Sequence, residues 1–408
     1  MIRETVTARS AIEALRAGVP SRHAVSQLGT TQHTIKDDFQ AALESVGAGR
    51  ATEPLVISAD FGNGKSHLLE YSQDMAERDQ FVTSYNVVSP EMPLGSGHVV
   101  LKAVAEAARA PGRTGKAIRE VATDLDANPA ALAGLRHWAE KADIHDRFRA
   151  LLHLYEEFRA DEELRAQILE DFEGKPLGKT IIRQKLKEIG QAAAYDLASP
   201  RNPLLAHDRI RVLAQFFRVC GCKGIVVFFD ELERMARFSK RQRIGGYEEI
   251  GWWRDIAKTD GAGILPVFAM TTGFVEENVT GNRQDELQFA SSGFDVSDDG
   301  QPHYGRLGIE LLKADPAKLE RPTPEQEEEV RYRIKAIYEQ AYGVTVRLLS
   351  TPATDANRSI RWKIRRWITE WDFMRYDPSY IPQVEGEDIA FSNLEISDAE
   401  LERDNNDS

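Results

Sequence analysis

Cysteine is nearly absent: only Cys220 and Cys222 occur in 408 residues, both inside the run CGCKG. A one-residue spacing is too short for half of a zinc ribbon, and no second Cys or Cys/His pair exists to complete a tetrahedral set. The pair reads as small residues between a helix end and a strand, in keeping with a reducing compartment. No stretch approaches about 18 consecutive apolar residues, and Arg, Glu and His occur within the first 30. Neither a membrane span nor a signal peptide is therefore predicted, and the expected address is the cytoplasm. Positive charge is also short: 52 Lys and Arg face 65 Asp and Glu, a formal charge of −13 that argues against a generic nucleic-acid binder. Its distribution weakens that exclusion, because residues 383–408 hold nine acidic residues and one Arg, −8 of the −13. Such a composition predicts a solvated, disordered tail.

What is present is the composition of a globular protein, 42% hydrophobic and 29% charged, in a chain long enough for two or three structural units. PLVIS (54–58) has strand length, and after a glycine-rich turn Leu68, Leu69, Tyr71, Ser72 and Met75 mark one face of a helix. FVTSYNVVS (81–89), closed by Pro90, completes a βαβ unit, so a parallel sheet is expected. From 98 to 219 the period stays helical with no strand-like run, ending in LLAHDRIRVLAQFFRVCG, which feeds KGIVVFFDELER. Further strands are predicted at GILPVFAMTT (263–272) and at RLGIELL (306–312). Thr323, Pro324, Gln326 and Gly343 then mark both ends of a helix, and a last helix is expected over 356–374.

Residues 59–66 read ADFGNGKS and match the pattern x-x-x-x-x-G-K-[ST], with Ala59 where the first Gly usually stands. Small residues let successive backbone N–H groups turn inward onto phosphates, a lysine reaches the outer phosphates, and a hydroxyl at the helix N-terminus holds Mg²⁺. Gly62, Gly64, Lys65 and Ser66 supply these parts, with Asp60, Phe61, Asn63 and His67 completing the loop, so ATP and Mg²⁺ are the predicted ligands. The independent partner is IVVFFDE, a buried strand ending in carboxylates. Asp230 is placed to hold Mg²⁺ with Ser66, and Glu231 to polarise a water for in-line attack on the γ-phosphate. The following strand ends at Thr271 and Thr272, either of which can orient the same water. An LSGGQ-type signature and an N-K-x-D motif are both missing, which disfavours a transporter-type ATPase and a GTPase.

Taken together, GVPSRHAVSQLG, DFGNGKSHLLEY, NVVSPEMPL, VVFFDELER and AMTTGFVEEN resemble the ATP-binding proteins of the BREX bacteriophage-defence systems, the BrxD-like group. These are AAA+ proteins similar to archaeal origin-binding ATPases. The resemblance covers about residues 8–375 and implies a P-loop NTPase fold: an αβα core with a parallel sheet, a large helical insertion and a C-terminal helical lid. The expected units are a helical segment over 1–50, a core over 51–97 and 204–320, an insertion over 98–203, a lid over 321–376 and, from composition, an acidic tail over 377–408. Lys65 and Ser66 would be Walker A, Asp230 and Glu231 Walker B, Thr271 or Thr272 sensor 1, and Arg358 or Arg361 of NRSIRWKIRRW sensor 2. Arg306 of YGRL, ahead of the last strand, would reach a neighbour's ATP in a homo-oligomer. The implied activity is ATP hydrolysis within a multi-protein assembly acting on foreign DNA. Two basic clusters offer phosphate contacts: RMARFSKRQR (234–243), with Arg237, Lys240 and Arg241, and RWKIRRW (361–367). The competing reading is a nucleotide-dependent switch or scaffold that recruits partner proteins and turns over little ATP.

Overall fold

A computed structural model describes residues 2–19, 21–60, 62–198, 202–281, 304–349 and 358–381. Phe61 and the predicted acidic tail from 382 onward lie outside these residues. The strands are β1 (Leu55–Ala59), β2 (Val82–Val87), β3 (Ala108–Arg109), β4 (Ile225–Asp230), β5 (Ile264–Thr271) and β6 (Ala317–Lys318). They form one six-stranded sheet in the order β3-β2-β4-β5-β1-β6. Every neighbouring pair is parallel except β2 with β3, where Thr83 pairs Arg109 in antiparallel sense. The sheet is thus mixed, mostly parallel, and β3 interrupts the stretch read as wholly helical. A two-residue edge strand leaves no alternation to detect. The central β4 is buried at all six positions, as expected of a strand covered on both faces.

Helices α1 (Ile2–Ala17), α2 (Arg22–Leu28) and α3 (His33–Gly47) precede β1, and α4 (Lys65–Arg78) follows it. After β2 come α5 (Gly97–Ala107), then α6 (Ala117–Ala127), α7 (Pro129–Lys141), α8 (Asp146–Glu157), α9 (Glu162–Phe172), α10 (Lys179–Glu188) and α11 (Asn202–Val219). α12 (Lys240–Ala257), α13 (Tyr304–Lys313), α14 (Pro324–Tyr342) and α15 (Ile360–Tyr376) complete the order. Successive strand side chains point to opposite faces, and the helices divide accordingly. Phe228 and Val267 meet Phe39, Leu43, Leu68 and Leu69 of α3 and α4. Phe229 and Phe268 face the other way, toward Phe216 and Trp253 of α11 and α12. Each such fully buried aromatic contributes about 2 kcal/mol relative to exposure.

The strand expected at 306–312 is instead the middle of α13, and the last strand of the sheet is β6. Gly305, Gly308, Ile309 and Leu312 share its buried face, a spacing of 3, 1 and 3 that belongs to a helix. Glycine is required there by close approach. A Cβ on Gly308 would stand 2.0 Å from the Tyr247 carbonyl oxygen, and one on Gly251 would stand 1.8 Å from that of Tyr304, so α12 and α13 touch backbone to backbone. By contrast, α14 has the predicted ends. Thr323 Oγ1 accepts from Gln326 N at 3.3 Å while Gln326 Oε1 accepts from Thr323 N at 2.9 Å, and Gly343 closes the helix at φ 68°.

α14 and α15 share a third core with the first two helices. Ile334, Tyr338, Ile368 and Trp371 pack on Ala8, Ala11, Ile12 and Leu28. The helical block between β3 and β4 is held by buried ion pairs. Asp171 of α9 is fully buried, pairs with Arg147 of α8 and with Arg209 of α11 at 3.1 Å, and accepts from Leu177 N at 2.7 Å. Asp171→Ala would leave two buried guanidiniums without a counter-ion, and should cost about 3–5 kcal/mol of stability in denaturant titration. Cys220 and Cys222 are free and half-buried, and burial pushes their thiols up to about 12 and about 11, so both are unreactive at neutral pH.

Candidate functional site

The loop from β1 into α4 turns through two glycines with left-handed backbone, Gly62 at φ 81° and Gly64 at φ 96°. A side chain at either position would be strained, which explains why the sequence has glycine there. Ala59 needs no such freedom: it is the last residue of β1, paired with Thr271 of β5, and does not have positive φ. Replacing the usual glycine at this position leaves the turn itself intact. Asn63 N donates to Asp60 O at 3.2 Å to close the turn, and Leu68 N donates to Gly64 O at 2.9 Å to start α4. Lys65 and Ser66 therefore open a helix whose first N–H groups face the loop, the geometry that favours anions.

At the end of β4, Asp230 meets both of them. Its Oδ1 lies 3.4 Å from Lys65 Nζ and accepts from Glu231 N at 2.8 Å, and its Oδ2 accepts from Ser66 Oγ at 3.4 Å and from Tyr85 OH at 2.6 Å. The Asp230 side chain is only 4% exposed, so these donors hold a buried carboxylate in place. Burial first, and then the Asp230 charge, push the Tyr85 phenol upward, so the hydroxyl stays protonated and remains a donor. Tyr85 sits in β2 with no sequence motif to reveal it. A hydroxyl and a carboxylate at this separation fit a hard divalent cation that takes few protein ligands and completes its shell with phosphates and water. Among the described residues no group of three or more His, Cys, Asp or Glu forms an all-protein metal cage.

Glu231 and Glu233 diverge. Glu231 has φ 61° and ψ 42°, an uncommon left-handed conformation for a non-glycine residue, and its carboxylate pairs with Arg234. Glu233, in the tight 3₁₀ turn Leu232–Arg237, lies 3.2 Å from Lys65 Nζ and accepts from Thr271 N at 3.1 Å. Glu233 is the third acid of DELER, and no motif marks it in the sequence. Thr271 thus joins the cluster through its backbone, whereas Thr272 is exposed and donates its N–H to Ala59 O at 3.3 Å.

Beside the loop runs a cleft lined by Leu28, Val330, Ile360 and Ile364 together with Gly62 and Arg361. His67 Nε2 lies 2.7 Å from Gly29 O and ties the start of α4 to the cleft wall. Burial holds the His67 pKa below its ordinary value, so the ring is neutral and Nε2–H is the donor. The N-cap of α15, Ser359, abuts the loop: its Oγ is 3.2 Å from where a Cβ on Gly62 would stand. Of the two arginines expected here, Arg361 lines the cleft, and Arg358 lies over the Trp362 ring at 5.5 Å. Arg306 is elsewhere, exposed on α13 and paired with Glu310 at 2.8 Å.

The basic clusters separate in the same way. Arg237 and Arg241 are exposed around the start of α12, with Lys240 between them. Most of RWKIRRW is committed to packing: Lys363 is buried against Glu327, Arg365 donates to Ala17 O at 2.6 Å and Arg366 donates to Glu370 at 2.8 Å.

The α/β sheet thus brings a glycine turn, an ammonium, a hydroxyl and a buried carboxylate together at its strand ends, beside a helix N-terminus that favours anions. The family model described as BREX system ATP-binding protein BrxC/D matches residues 4–121 and 101–351. The chain belongs to that family of ATP-binding defence-system proteins. No curated protein and no solved structure matches it. No helix among the described residues is long and apolar enough to cross a membrane.

Proposed function

We propose that this protein is a Mg²⁺-dependent ATPase of the P-loop AAA+ type, working with partner proteins on DNA in BREX defence. The observation that carries this reading is the convergence of Lys65, Ser66 and Asp230 within 3.4 Å beside two left-handed glycines. Residues 51–97 and 204–320 form the ATPase core, 98–203 the helical insertion and 321–376 the lid. The apolar cleft next to the loop takes the adenine. Ser66 and Asp230 hold Mg²⁺, which supplies charge neutralisation across the outer phosphates when bound. Lys65 orients the γ-phosphate, Glu231 polarises the attacking water, and Thr271 or Thr272 helps align it. Arg361, with Arg358 as the second candidate, senses the nucleotide from α15. Arg306, exposed on α13, serves the neighbour's site when ATP drives homo-oligomerisation in the cytoplasm.

The alternative, a switch or scaffold with little turnover, is favoured by one observation: the Glu231 carboxylate is engaged by Arg234. ATPase rates with and without duplex DNA, measured alongside light scattering, separate the two readings. The ATPase reading expects DNA-responsive turnover by an oligomer; a monomer with negligible turnover under all conditions would sink it.

Duplex DNA is expected to contact Arg237, Lys240 and Arg241, the cations that flank the start of α12. Replacing all three with alanine should weaken duplex affinity and flatten its salt dependence, the slope falling by about one for each phosphate no longer neutralised. Unchanged affinity and slope in a fluorescence anisotropy titration would remove this surface from the reading.

A further inference from the structure

Glu233 bridges two parts of the site that neither Asp230 nor Glu231 joins. Its Oε1 is 3.2 Å from Lys65 Nζ, and its Oε2 is 3.5 Å from the same nitrogen while accepting the Thr271 N–H at 3.1 Å. One carboxylate therefore connects the first residue of α4 to the tip of β5. The local backbone explains how it gets there. The left-handed Glu231 reverses the chain after β4, and the tight turn that follows carries residue 233 back over the end of the neighbouring strand. Its side chain is about a quarter exposed, and Lys65, at 12%, is enclosed by carboxylates on two sides.

We propose that Glu233 is a positioning residue of the phosphate site, which competes with ATP for Lys65 while holding the tip of β5 in register with it. This inference rests on the reading of the glycine loop as the ATP site. An ammonium has three donors, and here three carboxylate oxygens, one of Asp230 and two of Glu233, already lie within 3.5 Å of it. Phosphate oxygens approaching Lys65 Nζ must displace one of those carboxylates. Asp230 is fixed by Tyr85, Ser66 and the Glu231 N–H, so Glu233 is the partner that yields. Once it yields, its remaining tie is the Thr271 N–H, so phosphate binding at α4 is transmitted to the strand tip. Removing the Glu233 charge relieves repulsion of the phosphates, which strengthens binding, while uncoupling Lys65 from β5 slows turnover. A residue that only supports the fold would not shift affinity and rate in opposite directions.

Glu233→Gln keeps an amide oxygen for Thr271 N–H and removes the charge. In the full chain it is expected to bind ATP about 5- to 10-fold more tightly, an effect that shrinks as salt rises, and to lower kcat about tenfold. Glu233→Ala, which also loses the acceptor, should lower kcat further at similar affinity. The measurements are equilibrium ATP titrations at two salt concentrations and steady-state turnover, with circular dichroism to establish folding. Wild-type affinity and kcat in a folded Glu233→Gln variant, or weakened ATP binding, would overturn the role of Glu233 alone. Failure of the wild-type chain to bind ATP would instead remove the ATP-site reading on which it stands.

Discussion

Replacing Lys65 with alanine is expected to abolish ATP binding, with affinity falling by at least about a thousandfold. The ammonium is nearly enclosed and is the cation brought to the glycine turn by the start of α4, within 3.4 Å of Asp230. Without it, Asp230 and Glu233 present uncompensated negative charge where the polyphosphate has to lie. The loss therefore combines a missing charge-assisted hydrogen bond with repulsion from two carboxylates in a partly dry site. Equilibrium titration with a fluorescent ATP analogue measures it, and a melting curve separates loss of the ligand from loss of the fold. Near-normal binding by a folded Lys65→Ala protein would mean that the nucleotide sits elsewhere.

Glu231→Gln should retain ATP affinity and reduce turnover by roughly a hundredfold to ten-thousandfold, the span a positioned general base supplies. The amide is isosteric and can keep the left-handed backbone at this position, but it cannot accept a proton from water. The side chain points to Arg234, so turnover requires that pair to part first, and the variant removes the charge that holds it. The result to look for in single-turnover measurements is bound, unhydrolysed ATP. Wild-type turnover would move the base role away from Glu231. Because Glu231→Gln leaves affinity unchanged while Glu233→Gln raises it, the two acids of one short motif are distinguishable in the same titration.

How much of this was legible in the sequence follows from range of interaction. IVVFFD and ILPVFAMT are continuous apolar runs, and their burial on both faces could be read from composition alone. Thr323, Gln326 and Gly343 mark the ends of α14 by bonds spanning three or four residues, so local sequence is enough. RLGIELL misled because its alternation resembles a strand, while the deciding fact is the close approach of Gly308 to Tyr247, some 60 residues away. In the site, the glycine turn, Lys65, Ser66 and Asp230 stand out in the sequence by local pattern, and the fold brings Lys65 and Ser66 to 3.4 Å from Asp230. Tyr85 was not, since only the pairing of β2 with β4 places its hydroxyl on Asp230. Glu233 was visible as a letter and invisible as a neighbour of Lys65, because it arrives there by way of an unusual backbone angle at Glu231. RWKIRRW illustrates the converse: a basic run in sequence is largely taken up by partners within the chain once Lys363, Arg365 and Arg366 meet Glu327, Ala17 O and Glu370.

The shared core of α1, α2, α14 and α15 has a mechanical consequence. This four-helix body joins the sheet through two chain crossings, residues 29–32 ahead of α3 and residues 319–323 after β6. Gln32 stitches those crossings together, donating to Glu320 O at 2.9 Å and accepting from Glu320 N at 3.1 Å. The two covalent links lie side by side and both border the cleft beside the glycine turn, while Arg22 of α2 also pairs with Glu77 of α4. A ligand in that cleft would lie against both crossings at once, so its binding would bear on the sheet and on the four-helix body together.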